Sequence, residues 1–267
     1  MKSPAKLTRR TLLKASAGTL LATAAWPRGL RADDAPPKPL RLAVLNDLHI
    51  FDDKCPAYFE PLITKLNAAD LDLVLIAGDL TQDSTAAQFD LFKKIFAQLK
   101  PPYRVVPGNH DMIKGHQAWD EAFPDSNNYT FTLGGIQFLA LDTCQKSDYQ
   151  NITVPASTLD YAQAALTKLD PKAPLVVFTH FPLGENVTYR PTNAQALLDL
   201  FKHHNLRAVF SGHFHGFTER TAGDVVLTTN RCCSLHTANH DGTKEKGYFL
   251  VIAEGAKLSR SFIEYQP

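Results

Sequence analysis

The feature that most limits what this chain can fold into is the run Leu73-Val74-Leu75-Ile76-Ala77, apolar without a break and closed abruptly by Gly78-Asp79-Leu80. A strand built from such a run has no polar face, so it must be covered on both sides, as the inner strands of α/β proteins are. An acid released at a glycine turn from the end of that strand stands where α/β folds place function, at the carboxyl ends of the strands. The pattern recurs along the chain. Leu40–Leu45 ends in Asn46-Asp47-Leu48-His49, and Tyr103–Val106 in Pro107-Gly108-Asn109-His110-Asp111. Leu175–Thr179 ends in His180-Phe181-Pro182, and Arg207–Ser211 in Gly212-His213-Phe214-His215-Gly216.

Helical periodicity fills the intervals. Residues 56–69 put Phe59, Leu62, Ile63 and Leu66 on one face, and Thr85–Leu99, Ser157–Leu169 and Asn193–His204 follow the same rule. Tyr129–Leu133 and Ile136–Leu141 flank Gly134-Gly135 and read as a hairpin. Asp224–Thr229, Tyr248–Ala253 and Lys257–Tyr265 are expected to be short antiparallel strands closing the sheet. With no internal repeat and no second boundary, residues 40–267 are expected to form one α/β domain.

The formal charge of +1 hides an asymmetry between the start of the chain and the rest. Seven of the 28 basic residues (Lys2, Lys6, Arg9, Arg10, Lys14, Arg28 and Arg31) precede the first acid, leaving 21 against 27 and a formal −6 beyond residue 32. That body has no Lys/Arg-dense stripe, so long nucleic acid is not an expected partner. The basic start runs into a mildly apolar stretch, Leu12–Trp26, ending in small residues, which is how an export signal is composed. Thr8-Arg9-Arg10-Thr11-Leu12-Leu13-Lys14 resembles the twin-arginine export signal, which implies delivery by export machinery to a bacterial periplasm or the exterior. The stretch is too short for a stable membrane span. Residues 33–39 are polar and proline-rich, a linker. Cys55, Cys144, Cys232 and Cys233 are too few for a disulfide scaffold, and without a Cys-x-x-Cys spacing a thiolate metal site is not expected.

Collected, the strand-end groups Asp47, His49, Asp79, Asn109, His110, His180, His213 and His215 offer mixed oxygen and nitrogen donors without sulfur, a set that suits two borderline divalent ions. One carboxylate can bridge two ions. The two acids leave such a site with positive charge, which favours an anionic phosphoryl group.

In this order, Asp-x-His, Gly-Asp, Gly-Asn-His-Asp, a strand-end His and Gly-His-x-His resemble the calcineurin-like metallophosphoesterase superfamily. The resemblance implies a β-sandwich of two mixed sheets flanked by α-helices. It also implies two divalent ions (Mn, Fe or Zn) that turn water into an attacking hydroxide on a small phosphate ester, either a phosphodiester or a phosphomonoester. One ion would take Asp47, His49 and His215 and the other Asn109, His180 and His213, with Asp79 shared. His110 would act on the leaving oxygen, and Asp111 would orient its imidazole. Two departures narrow the subgroup. Gln82 stands where purple acid phosphatases place a tyrosine ligand, and Gly78-Asp79-Leu80-Thr81-Gln82-Asp83-Ser84 lacks the arginine of the serine/threonine protein phosphatases. The remaining similarity is to small bacterial phosphodiesterases of the cyclic-nucleotide type. The alternatives are a nuclease or nucleotide pyrophosphatase on the same site, or a non-catalytic metal-binding module. His203 and His204 are read as helix-end residues, and His116, His236 and His240 as polar-loop residues. Residues 112–128, 143–156 and 183–192 are the expected specificity loops and carry no readable motif.

Overall fold

The computed structural model describes residues 38–265; the export-signal reading of residues 1–32 and all but the last two residues of the linker lie outside them. Among the described residues no helix is long and apolar enough to cross a membrane.

The first sheet holds β1 (Leu40–Leu45), β2 (Leu73–Ala77), β3 (Tyr103–Val106), β10 (Lys246–Glu254) and β11 (Lys257–Tyr265), in the order β11-β10-β1-β2-β3. The strands β1, β2 and β3 are parallel, while β10 and β11 extend the sheet antiparallel. The second sheet holds β4 (Tyr129–Leu133), β5 (Ile136–Leu141), β6 (Leu175–Thr179), β7 (Leu206–Ser211), β8 (Thr218–Ala222) and β9 (Val225–Thr229), in the order β4-β5-β6-β7-β9-β8. Both sheets are mixed, and helices cover their outer faces. Against the first lie α1 (Cys55–Ala68), α2 (Ala86–Phe96) and α3 (His116–Ala122); against the second lie α4 (Ala156–Leu166) and α5 (Ala194–Leu200).

The unbroken apolar runs follow from this layering. Leu73 and Leu75 face the other sheet, where they meet Phe138, Phe178 and Phe210, whereas Val74 and Ile76 face Phe59, Phe92 and Phe96 on the helices. Strands pressed from both sides have no place for a polar residue until they end. Thr85 starts α2 by accepting a hydrogen bond from the Gln88 amide at 3.3 Å on its Oγ1.

In the tail, β10 and β11 are the expected antiparallel strands. β9 departs in part: it is antiparallel to β8, the largely exposed edge strand, but parallel to β7 on its other side. The helix read over Asn193–His204 stops at Leu200 and finishes as a 3-10 turn, Phe201–His203. All four cysteines are buried free thiols.

His116 opens α3 between two acids, with Nε2 3.1 Å from Asp142 Oδ2 and Nδ1 3.2 Å from Asp120 Oδ2. The bond to Asp142 outweighs partial burial and, with Asp120, pushes the imidazole up to about 9. A folded-state pKa above the unfolded one gives stabilisation that is complete below the unfolded value and is lost as pH rises through the folded one. Half the side chain is exposed, so solvent screening holds the gain to about 0.5–1 kcal/mol. Urea denaturation of His116→Gln should therefore show a deficit of that size at about pH 6 that has closed by about pH 10.

Candidate metal centre

Every donor leaves the carboxyl end of a parallel strand, three strands from the first sheet and two from the second. Asp47 and His49 follow β1, Asp79 follows β2, Asn109 follows β3, His180 follows β6, and His213 and His215 follow β7. All seven side chains are buried. To turn inward together, Asp47 (φ 52°), His49 (φ 46°), Asp79 (φ 52°), His213 (φ 65°) and His215 (φ 47°) take left-handed backbone, which non-glycine residues ordinarily avoid. The neighbouring glycines leave the space. A Cβ on Gly108 would stand 2.0 Å from Asp79 Oδ1, and one on Gly212 would stand 2.7 Å from Asp47 Oδ2.

Each of the four histidines is tied at one ring nitrogen to an oxygen acceptor outside the cluster. His180 Nδ1 donates to the Ala77 carbonyl at 2.9 Å and His213 Nε2 to the Tyr149 carbonyl at 2.7 Å. His215 Nδ1 donates to the Ala238 carbonyl at 3.3 Å and His49 Nδ1 to Gln82 Oε1 at 3.0 Å. The anchored nitrogen keeps its proton, so the inner one can offer a lone pair to a cation that displaces any proton held there. The inner nitrogens meet in pairs. His49 Nε2 is 3.1 Å from His215 Nε2, and His180 Nε2 is 3.2 Å from His213 Nδ1 and 3.1 Å from Asn109 Oδ1. Asp79 Oδ2 lies between the pairs, 3.5 Å from His49 Nε2 and 3.4 Å from His180 Nε2, while Asp47 Oδ1 lies 3.2 Å from His215 Nε2.

Inner ring nitrogens and carboxylate oxygens this close to one another are what a donor set for cations looks like. Two such sets emerge, Asp47-His49-Asp79-His215 and Asp79-His180-His213, with Asp79 in both. The residues fit two divalent cations of the kind bound by nitrogen and oxygen donors. The electrostatics agree. Burial works against charge on Asp79 and Asp47, yet His180 and His215 respectively hold both carboxyls well below the usual range. Burial also works against His215 and His180, but Asp47 raises the first to about 11 and Asp79 the second to about 9. His49 and His213 are lowered by burial to about 4 and about 3. The pocket thus favours positive charge between fixed carboxylates.

The profile of the calcineurin-like phosphoesterase family matches residues 40–217. The chain belongs to that family. It is a phosphoesterase, a hydrolase of phosphoric esters. It is 26% identical over 196 residues, 67% of this chain and 73% of the other, to a probable cyclic nucleotide phosphodiesterase of Fibrobacter succinogenes. It is likewise 26% identical over 183 residues, 66% of each chain, to the 3',5'-cyclic adenosine monophosphate phosphodiesterase of Pseudomonas aeruginosa. In fold it resembles a dimetal phosphatase of Danio rerio, with a TM-score of 0.60 at 14% identity, over 85% of this chain and 99% of that one.

In this calcineurin-like phosphoesterase His110 lies at the rim of the donor cluster, its ring centroid 4.6 Å from that of His49. Its orientation differs from expectation. Nδ1 donates to the Gln82 carbonyl at 2.8 Å, and Asp111 takes no part. The Asp111 carboxylate instead accepts from the Leu80, Thr81 and Gly108 amides and the Thr81 hydroxyl, at 2.9–3.0 Å. Asn109 leads into a 3-10 turn over His110–Met112, where adjacent side chains diverge, so Asp111 points into the Asp79 loop while His110 points to the cleft. Burial and Asp79 push Asp111 up to about 6 against those amides. Its work is to clamp the loop that carries Asp79.

A cleft of about 210 Å³ opens over the donors, walled by Gln82, Tyr149, Tyr189, Thr237 and His240. Tyr149 and Tyr189 lie in the expected specificity loops, ring centroids 6.3 Å apart, and His240 stacks on His215 at 4.7 Å. His240 is therefore a cleft residue, not only a loop residue. Gln82 anchors both His49 and His110, a double role that its position three residues after Asp79 does not announce.

Proposed function

We propose that this phosphoesterase is a dinuclear hydrolase of small phosphodiesters, with cyclic nucleotides the first class to assay. One observation carries the reading, namely the two donor sets that share Asp79 under a single small cleft. Asp47, His49 and His215 would hold one cation and Asn109, His180 and His213 the other, with Asp79 common to both. Bound there, divalent cations supply charge withdrawal from phosphoryl oxygens and lower the pKa of water toward about 7.

The chain's own groups do the rest. As oxygen from water attacks phosphorus, the bond to the leaving oxygen breaks and that oxygen needs a proton. His110, with Nδ1–H given to the Gln82 carbonyl, would supply it from Nε2, while the attacking water gives up its own proton to solvent. Tyr149 and Tyr189 present aromatic surface to a planar group on the ester, which agrees with the activities named for the two relatives.

The test compares the enzyme with Asn109→Ala and His110→Ala on chromogenic phosphate mono- and diesters with added Mn²⁺. Asn109→Ala should lose metal and turnover together. His110→Ala should keep its metal and lose about 10²–10⁴-fold in kcat. Equal turnover by all three proteins rejects the reading.

Residues 1–32 are proposed as a twin-arginine export signal delivering the enzyme outside the cytoplasm. Arg9→Lys with Arg10→Lys should then leave it in the cytoplasmic fraction, and unchanged export would refute the assignment.

A further inference from the structure

Three side chains of different chemistry meet in a second cluster that shares no residue with the dinuclear centre. Asp52, Cys55 and His236 each place one donor atom within 4.8 Å of the other two. His236 Nε2 is 3.2 Å from Asp52 Oδ1, and Cys55 Sγ is 3.7 Å from the same oxygen. Two parts of the backbone frame the sulfur. It receives the Phe51 amide N–H at 3.4 Å, and it stands on the first residue of the 14-residue helix α1. The Phe51 ring meets the His236 ring edge-on at a centroid distance of 5.8 Å and fixes its plane. The Cys55 residue is fully buried, while about a third of the Asp52 and His236 side chains is open to solvent, which leaves a way in.

We propose that Asp52, Cys55 and His236 form a third cation site, for a single zinc-class ion, with water as the fourth ligand. Thiolate, imidazole and carboxylate together are the borderline-soft donor set that zinc takes in tetrahedral geometry. On binding, a bond forms from Cys55 Sγ to the ion, and the thiol proton passes to solvent; the ion also replaces the contact between His236 Nε2 and Asp52. The site ties the loop that leaves the Asp47-x-His49 motif to the loop after β9. That second loop carries Thr237 and His240 in the cleft wall, and Tyr58, on α1, already holds it by donating from its hydroxyl to the Ser234 carbonyl at 3.2 Å. The ion would be a staple on the cleft wall, not a participant in hydrolysis.

The sulfur makes the test selective, because the dinuclear donors include none. The whole enzyme, stripped of metal and titrated with Co²⁺, should bind three equivalents. A cobalt–thiolate charge-transfer band in the near ultraviolet should report the third site alone. Cys55→Ser and His236→Ala should each bind two equivalents and lack the band. In case Cys55→Ser fails to fold, His236→Ala and Asp52→Asn change partly exposed side chains and carry the test. A stoichiometry of two in the unaltered enzyme, no thiolate band, or a band that survives both His236→Ala and Asp52→Asn overturns the proposal.

Discussion

Asp79→Asn should lower phosphodiester turnover by about a thousandfold or more, equivalent to about 4 kcal/mol of transition-state stabilisation. The change is small in every respect but one. Asparagine tolerates the left-handed backbone at this position (φ 52°) at least as well as aspartate does, so the loop keeps its path. The side-chain oxygen can still accept the His110 amide, now at 2.9 Å from Oδ1. What changes is the other atom. Oδ2, facing His49 and His180 at 3.5 Å and 3.4 Å, becomes an NH₂ group that donates and cannot bind a cation. Both donor sets lose their shared member at once. Elemental analysis should show a fall in both equivalents. A variant that holds two equivalents and turns over within about tenfold of the unaltered enzyme, a difference of only about 1.4 kcal/mol, would remove Asp79 from its central place.

Gly108→Ala should act nearly as strongly without touching a donor. The added methyl would lie 2.0 Å from Asp79 Oδ1 and 2.3 Å from the Asp79 backbone nitrogen. A side-chain tip can swing away from such a contact; a main-chain nitrogen in a buried loop cannot. The Asp79 loop or the Gly108 turn must shift, and the Asp111 clamp joins the two through Leu80, Thr81 and Gly108. Overpacking of this kind costs about 1–3 kcal/mol of stability. Displacing a reacting geometry by an ångström costs about a further hundredfold in rate. Denaturant titration and steady-state kinetics measure the two separately. Normal stability with normal turnover would mean that the apposition of Gly108 and Asp79 is not required.

The sandwich was legible because its physics is local. Leu73–Ala77 is apolar on both faces, since one face meets the second sheet and the other meets helices, and the Gly134-Gly135 hairpin has the boundaries its turn predicts. The donors were legible as positions because the later part of each of these strands is apolar until it ends. Other features depend on groups distant in sequence. β8, Thr-Glu-Arg-Thr-Ala, has no apolar alternation, and only its pairing with β9 makes it a strand. The parallel partnership of β9 with β7 is a tertiary choice that a hairpin reading cannot anticipate. The pairing of Asp111 with His110 rests on the family resemblance, whereas a 3-10 turn sends the two side chains apart. Gln82, Tyr149 and Tyr189 lie in irregular segments, where no periodicity marks which residue faces the cleft.

The left-handed residues at the head of the strands have a consequence for exchange by glycine. Asp47, His49, Asp79, His213 and His215 all take that conformation, which costs a histidine about 1–2 kcal/mol and an aspartate less. Glycine would relieve the backbone at each position, but it would also empty a buried site and orphan partners such as the His110 and His213 amides, which donate to Asp79 and Asp47. Backbone strain and donor placement are thus tied together, and neither can be relaxed without the other.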